Sequence, residues 1–151
     1  MNKDYSIQIL QAYATGLAAQ SMQHKVQGKV FASMGLSKLA SKYADHATEE
    51  MEWVDKFIDR IIDLGGEAKV EASPAQKIYT DPVEFLKADL EVSVREVPNL
   101  GKIVLSVAED LTTYDLMKGY YQDEEEDMAW SDQQLKLIEC IGLQNWLIQQ
   151  L

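Results

Sequence analysis

Apolar residues recur every three or four positions through most of the chain, which is the spacing of one face of an α-helix. Glycine and proline are scarce and clustered, so long runs of good helix formers lie between them. The pattern predicts four long helices, at about 4–33, 36–64, 82–110 and 113–140, and a short fifth helix after Gly142. The fold class is therefore predicted to be all-α.

Local signals mark several helix ends. The two glycines at 65–66 are a strong stop signal after the second helix. Asp81 followed by Pro82 is typical of an N-cap and a first helical position. Thr112 or Thr113 can cap the fourth helix.

The segment 65–80 is the only long connection between predicted helices. Two long helices, a long connection, two more long helices and a short tail predict a four-helix bundle with one crossover. The alternative is a plain up-and-down bundle with a floppy loop. Pro98 predicts a kink or a brief interruption in the third helix. No repeat or second domain is visible, so residues 1–151 are expected to form one domain.

Composition narrows the class of protein. The single cysteine, Cys140, excludes an internal disulfide framework and agrees with a reducing cytoplasm. No apolar run approaches the roughly 20 residues that span a bilayer, and the N-terminus lacks a signal-peptide core. A cytoplasmic location is therefore predicted. The formal net charge of −11 disfavours nucleic acid and anionic membranes and favours cations, although solubility alone also explains such a charge.

Polar residues interrupt the core-facing positions of two helices. On the second helix these positions are Leu36, Leu39, Tyr43, His46, Glu50, Trp53, Phe57, Ile61 and Leu64. On the fourth helix they are Met117, Tyr120, Glu124, Asp127, Ser131, Leu135 and Ile138. An ionised carboxylate in an apolar core costs several kcal/mol unless it is paired or binds a cation. The pattern favours a metal ion between the helices, and ordinary hydrogen bonds or ion pairs are the alternative.

Two segments resemble the bacterioferritins. Residues 34–66 read MGLSKLASKYADHATEEMEWVDKFIDRIIDLGG and are similar to that family's second helix. Residues 123–151 read DEEEDMAWSDQQLKLIECIGLQNWLIQQL and are similar to its fourth helix and tail. The resemblance implies a ferritin-like bundle, iron binding and storage, and a homo-oligomeric shell, alone or mixed with a catalytically complete subunit.

The resemblance also implies where a di-iron ferroxidase centre would lie. Glu50 and Glu124 match family ligands, and Asp127 stands where the family has a histidine. The other three ligand positions fall on residues that depart from the family pattern: Leu17, Trp53 and Ser93. The ferroxidase centre is thus expected to be altered or impaired.

A displaced metal site is a further hypothesis. One turn from Glu50, the bundle geometry is expected to bring Gln20 or Ser21, His46, Asp89 and Asp127 to one core level. The displaced site would use His46, Glu50 and Asp127, with Asp89 and Glu124 as further candidate ligands. The metal ligands predicted from the sequence are therefore Glu50, Glu124, Asp127 and His46.

Two other expectations come from the resemblance. Met51 falls where bacterioferritins place the methionine that ligates haem b at a twofold interface. Asp45 and Glu49 match positions that face the shell cavity, where carboxylates can nucleate ferric mineral. The alternatives to an iron-storage subunit are a non-catalytic structural or haem-carrying protein and a bundle with a single displaced metal.

Overall fold

Residues 1–151 are all described in the computed structural model, and they form five α-helices with no strand. The helices are α1 Lys3–Ser33, α2 Ser37–Asp63, α3 Pro82–Ser106, α4 Leu111–Ile141 and α5 Leu143–Ile148. The predicted four-helix bundle with a short C-terminal helix is confirmed. None of the five helices combines the length and the apolar character that a bilayer-spanning helix requires.

The bundle consists of two helical hairpins. α1 packs most extensively against α2, and α3 against α4. The first hairpin turns at Gly35, whose φ of 83° lies in the left-handed region that glycine adopts without strain. Asp81 accepts hydrogen bonds from the amides of Val83 and Glu84, so α3 begins with the predicted N-cap and with Pro82 in its first turn.

The connection between the hairpins runs along α1. Gln11 exchanges two hydrogen bonds with the backbone of Lys69, at 3.0 and 2.8 Å. Gln27 does the same with the backbone of Tyr79, at 2.8 and 2.9 Å. The two glutamines are about four and a half turns apart on α1, which is about 24 Å. The segment therefore spans much of the bundle's length as an ordered crossover held by side-chain amides.

Two apolar clusters fill the core. The first cluster contains Leu10, Ala14, Leu17, Val54, Phe57, Ile61, Leu64, Leu100, Val104, Val107, Met117 and Tyr120. The second contains Phe31, Leu36, Leu39, Ala40, Tyr43, Phe85, Leu86 and Trp146. Along α1 and α2, the buried residues between these clusters are mostly polar: Ser21, His24, Gln27, His46 and Glu50. We call these five residues the polar layer.

The junction between α3 and α4 differs from the sequence prediction. α3 ends at Ser106 rather than near 110, and the N-cap of α4 is Asp110 rather than a threonine. The buried Asp110 carboxylate accepts hydrogen bonds from Thr113 and pairs with Arg60 at 2.7 Å. Because this aspartate already satisfies the first turn of α4, Thr113 lies inside the helix instead of capping it.

Of the two outcomes predicted at Pro98, a kink or a brief interruption, the interruption does not occur: α3 continues through this residue. Proline lacks the amide that would bond to the carbonyl of Val94, four residues earlier. Val94 is exposed on the outer face of α3, so water can hydrate the carbonyl that has no helical partner.

The short α5 closes one end of the bundle. Trp146 is fully buried in the second apolar cluster, and its indole donates a hydrogen bond to Gln134 at 3.0 Å. The carbonyl of Gln150 accepts a hydrogen bond from the amide of Lys38 at 2.8 Å, in the first turn of α2. Both ends of this tail are thereby fixed to the bundle, while the lone Cys140 is exposed.

Candidate metal centre

The structure places the four predicted ligands at two depths. His46 and Glu50 are one turn apart on α2 and are each 3% exposed, as the helical spacing predicts. Glu124 and Asp127 lie on α4 at the edge of the core and are only partly buried. The α2 residues therefore belong to the polar layer, whereas the α4 residues lie between that layer and solvent.

His24 connects three helices within the core. Its Nδ1 lies 2.5 Å from Oε1 of Glu50 on α2, and its Nε2 lies 3.1 Å from Oδ1 of Asp89 on α3. Burial lowers the pKa of His24, but the hydrogen bonds with Asp89 and Glu50 outweigh it and raise that pKa to about 10. At neutral pH a protonated imidazole thus donates to both carboxylates. We call His24, Glu50 and Asp89 the histidine bridge.

His24 is not among the ligands predicted from the sequence. Its spacing from Leu17, Ser21 and Phe31 follows the three-and-four pattern of a core-facing position. This spacing indicates that His24 is buried, and a buried imidazole needs a hydrogen-bond partner. The bridge leaves Oε2 of Glu50 without a hydrogen-bond partner.

A second group of acids lies between α2 and α4. Oxygens of Glu49, Asp123 and Asp127 lie within 4.8 Å of one another, and we call these residues the acidic trio. Of the three, only Asp127 was predicted as a ligand, while Glu49 was expected to face the shell cavity. Trp53 donates its indole N–H to Oδ2 of Asp123 at 2.9 Å.

His46 faces the acidic trio from the core. Its Nε2 lies 3.6 Å from Oδ1 of Asp127 and has no hydrogen-bond partner. Burial, followed by the charges of His24 and Lys42, lowers the pKa of His46 to about 4. His46 is therefore neutral at pH 7, and a neutral imidazole is the form that ligates metals.

Two α4 carboxyl groups have raised pKa values. Burial, together with the charges of Asp123 and Glu50, raises the pKa of Asp127 to about 7. Burial, together with Asp127 and Glu50, raises the pKa of Glu124 to about 8. In each case a charged carboxylate lacks a counter-ion, and a bound cation would supply one.

A cavity of about 420 Å³ opens between α1, α3 and α4. Its wall includes Leu17, Gln20, Asp89, Ser93 and Glu124, and nine of its fifteen lining residues are hydrophobic. Three of the six positions that the resemblance assigns to ferroxidase ligands therefore line one mostly apolar cavity.

The residues present do not fit the full ligand set of a two-ion centre. Leu17 offers no donor atom, and an indole N–H such as that of Trp53 has no lone pair for a metal. The indole hydrogen of Trp53 is moreover engaged with Asp123. One oxygen of Glu50 is held by His24.

Met51 lies on the flank of α2 that faces α1, one residue after the buried Glu50. It is 41% exposed and lines a groove of about 670 Å³ along α1 and α2, together with Ser21, Lys25 and Ala47. Most of this groove's floor is formed by small side chains, so a flat group or a neighbouring chain can approach the helices closely.

A bundle of two helical hairpins joined by one crossover, with carboxylates and histidines in its middle, has the architecture of the carboxylate-rich metal-binding bundles. Residues 7–141 match the family model described as ferritin-like domain. The chain belongs to the ferritin-like family.

Several relatives match the chain almost from end to end. It is 37% identical to the "Bacterial ferritin" of Neisseria meningitidis serogroup B over 98% of this chain and 95% of that protein. It is 31% identical to the "Bacterial ferritin" of Pseudomonas aeruginosa over 96% of each chain. A protein named "Bacterioferritin" from Rhodobacter capsulatus is 25% identical over 83% of this chain and 80% of its own length.

Proposed function

We propose that this chain is an iron-binding and iron-storage subunit of a bacterioferritin-like shell in the cytoplasm, with an altered ferroxidase centre. Family membership and the near-complete match to relatives named bacterial ferritin support the storage role. The observation that carries the proposal is the retention of carboxylates at mid-height of the bundle, where Glu50 is buried and the pKa values of Glu50, Glu124 and Asp127 are raised.

A bundle that had kept its fold and lost its metal would gain stability by losing such acids. Each one is desolvated by the protein, and replacing a buried charge with an apolar side chain of similar size is often neutral or stabilising. Cation binding explains why acids occupy these positions, and this favours iron handling over a purely structural role.

The altered centre is supported by the chemistry of three side chains. Leu17, Trp53 and Ser93 lie where the resemblance expects ligands, and Leu17 and Trp53 have no lone pair to offer a metal. Iron oxidation in the cell would then depend on a catalytically complete subunit in the same shell, while this chain supplies shell surface and acidic groups for the mineral.

The predicted metal-binding roles of Glu50, Glu124, Asp127 and His46 remain part of this proposal. Glu50 and Glu124 are the remaining carboxylates of the original centre, and Asp127 and His46 belong to a displaced position between α2 and α4. Glu124 lines the cavity beside Leu17 and Ser93, whereas Asp127 contributes to the acidic trio.

The test is aerobic loading of the assembled protein with ferrous iron, followed by iron analysis and sizing of the particles. Storage predicts many iron atoms per chain and an electron-dense core. About one iron per chain would favour the single-metal alternative, and no bound iron would favour the structural one.

A restored variant separates storage from oxidation. In Leu17→Glu, Trp53→His, Ser93→Glu and Asp127→His combined, the six family ligand types are present again. We expect this variant to oxidise ferrous iron much faster than the natural chain, because two ions can then be held together. Equal initial rates would contradict the altered centre. The exposed substitution Gln122→Glu, on the same helix as Asp127, adds the same single negative charge and is the control for a change of net charge.

We also propose that Met51 is a haem ligand at an interface between two copies of the chain. The exposed thioether beside a groove lined by small residues supports this role, and Lys25 on the groove's rim can pair with a haem carboxylate. Titration with haem should give the absorption spectrum of a methionine-ligated iron, and Met51→Leu should abolish it. An unchanged spectrum in that variant would contradict the assignment.

A further inference from the structure

The cavity between α1, α3 and α4 is long enough for a ligand much larger than a metal ion. Along α1 its wall extends from Ile9 to Gln20, which is about 16 Å of helix. Its volume of about 420 Å³ lies within the range of small-molecule pockets, about 300–1,000 Å³. The cavity therefore has the dimensions of a site for an elongated organic molecule.

The two ends of this cavity differ in chemistry. α1 and α3 run antiparallel along it, because His24 bonds to Asp89 near one end and Tyr5 bonds to Ser106 beyond the other. The end near His24 is lined by polar side chains: Gln20, Asp89, Ser93 and Glu124. The end near Tyr5 is lined by apolar side chains: Ile9, Leu100 and Ile103. A ligand with one polar and one apolar end matches this division.

The polar end is suited to a positive charge. No hydrogen bond or ion pair within the chain engages the Glu124 carboxylate, and His24 is the only cation among the groups that act on it. His24 already donates to Glu50 and Asp89, so the acids at this end outnumber the cations. The cavity lining contains no lysine or arginine. An anionic ligand would be repelled here, whereas a cation would be attracted.

Two tyrosine rings lie next to Glu124. Tyr120 precedes Glu124 by one turn of α4, and its ring centroid lies 6.0 Å from that of Tyr13 on α1. Both tyrosines line the cavity. Aromatic rings attract ammonium groups within about 6 Å of the ring centre, and this attraction is stronger where water is excluded. The rings favour a cation that is attached to a hydrocarbon over a fully hydrated one.

Gly16 leaves the mouth of the cavity open. Gly16 and Ala12, one turn apart on α1, are exposed and line the cavity, so they lie at its mouth. A β-carbon at Gly16 would meet no atom within 4 Å, and Gly16 does not have a positive φ. Neither close packing nor backbone conformation requires glycine here, although glycine weakens a helix relative to alanine. Open access to the cavity gives this glycine a role.

We propose that this cavity binds an organic cation with an apolar body, namely an amine whose ammonium group pairs with Glu124 and whose hydrocarbon part lies toward Leu100 and Ile103. Burial of the hydrocarbon supplies affinity, and the charge pair sets the orientation. Leu17 and Ser93 carry no charge, so the lining suits one monovalent head group better than two metal ions. The proposal does not rest on iron storage, because amine binding requires no iron.

The experiment compares three compounds that share one hydrocarbon body and differ in charge: phenylbutylamine, phenylbutanol and phenylbutyrate. They are titrated calorimetrically into the assembled protein after removal of metal ions, since a metal at Glu124 would exclude the amine. We expect one amine per chain, at least about tenfold weaker binding of the alcohol, and no binding of the carboxylate. Equal affinity for amine and alcohol, tighter binding of the carboxylate, or no binding of the amine would overturn the proposal.

A matched pair of variants tests the charge pair. Glu124→Gln should weaken amine binding at least about tenfold and leave alcohol binding unchanged, because only the amine uses the carboxylate. Glu126→Gln removes the same charge at an exposed position of the same helix and should leave both affinities unchanged. If Glu124→Gln affects amine and alcohol equally, or affects neither, the assignment of Glu124 is wrong.

Variants at Gly16 test the location. Gly16→Leu places a large side chain at the mouth and should abolish binding of both amine and alcohol. It should also leave the thermal unfolding midpoint unchanged or raised, because leucine favours a helix more than glycine does. Gly16→Ala is the control that strengthens the helix and keeps the mouth open, so it should retain binding. Full binding in Gly16→Leu would place the ligand elsewhere and overturn the proposal. None of these measurements uses iron, so their failure is distinguishable from a failure of mineral loading.

Discussion

The histidine bridge and the acidic trio use the same residue types in opposite ways. In the bridge, His24 lies between Glu50 and Asp89, is protonated, and donates one ring N–H to each carboxylate. In the trio, the neighbouring imidazole of His46 is neutral, and the cation that acts on Glu49 and Asp127 is Lys42, outside the cluster. One cluster contains its own cation, and the other contains none among its members.

The different burial of the two clusters explains why one holds a cation of its own and the other does not. Both His24 and Glu50 are almost fully buried, so an unpaired charge there would be costly and the imidazolium makes the arrangement possible. Asp127 is partly exposed, and Glu49 is exposed, so water screens their repulsion until an ion binds. The comparison shows that burial and an internal cation together decide which of these acids are neutralised within the protein.

The largest expected effect comes from removing the bridge's cation. His24→Leu should lower the free energy of unfolding by about 3–5 kcal/mol, because it leaves Glu50 buried and unpaired. The measurement is urea denaturation at fixed protein concentration, since assembly also contributes to stability. In the double variant His24→Leu with Glu50→Leu, much of the loss should be recovered. If the losses in His24→Leu and Glu50→Leu simply add in the double variant, the two side chains do not interact and the bridge is contradicted.

Metal ions should stabilise only the trio. Mn²⁺ at 100 times its Kd should raise the free energy of unfolding by about 2.7 kcal/mol through binding to the folded chain alone. Asp127→Asn should abolish this gain, while Asp89→Asn should retain it because Asp89 belongs to the bridge. A gain lost equally in both variants would show that the two clusters act as one site.

A smaller effect is expected at Trp53. Trp53→Phe removes the hydrogen bond to Asp123 and should weaken Mn²⁺ binding about tenfold, as for other groups that orient ligands. Stability without metal should change little, because the phenyl ring keeps the packing against Phe57 and Tyr120. Tyr121→Phe, which removes an exposed hydrogen bond to Glu125, is the control. Unchanged affinity in Trp53→Phe would remove the positioning role.

The smallest expected effect is on the pH dependence of stability, which should differ between the histidine bridge and the acidic trio. The pKa of Asp127 rises from about 3.9 in the unfolded chain to about 7 in the folded protein. Its contribution to the free energy of unfolding is therefore complete below pH 4 and is lost as pH rises through about 7. The pKa of His24 rises from about 6.5 in the unfolded chain to about 10 in the folded protein. Its contribution to the free energy of unfolding is therefore complete below pH 6.5 and is lost as pH rises through about 10.

Denaturation of the metal-free protein across this pH range is the measurement. Asp127→Asn should reduce the pH dependence in the lower window, where Glu124 also titrates, and His24→Leu should remove it in the upper one. Asp59→Asn should leave both windows unchanged. A single window that both substitutions flatten would contradict separate clusters.

Much of the fold was predictable because helix periodicity and end signals are local. The spacing on α2 placed His46 and Glu50 in the core, and the Asp81-Pro82 pair marked the start of α3. The start of α4 was predicted less well, because Asp110 becomes the cap through its contact with Arg60 on another helix.

The candidate site was predictable only in part. Periodicity identified Asp127, but Glu49 and Asp123 lie one residue outside the core-facing phase on their own helices. They come together because α2 and α4 approach each other at this level. His24 was in the correct phase, yet its two partners lie on α2 and α3, 26 and 65 residues away in sequence.

The sequence by itself determined the class of protein, the helices and the presence of acids in the core, because these follow from residue spacing and from similarity along the whole chain. Only the tertiary structure decided which acids are neutralised by His24 and which face His46 unpaired. That decision depends on distances of 2.5 to 3.6 Å between side chains on different helices. Periodicity within one helix fixes the face on which a residue lies but not the partner it meets there.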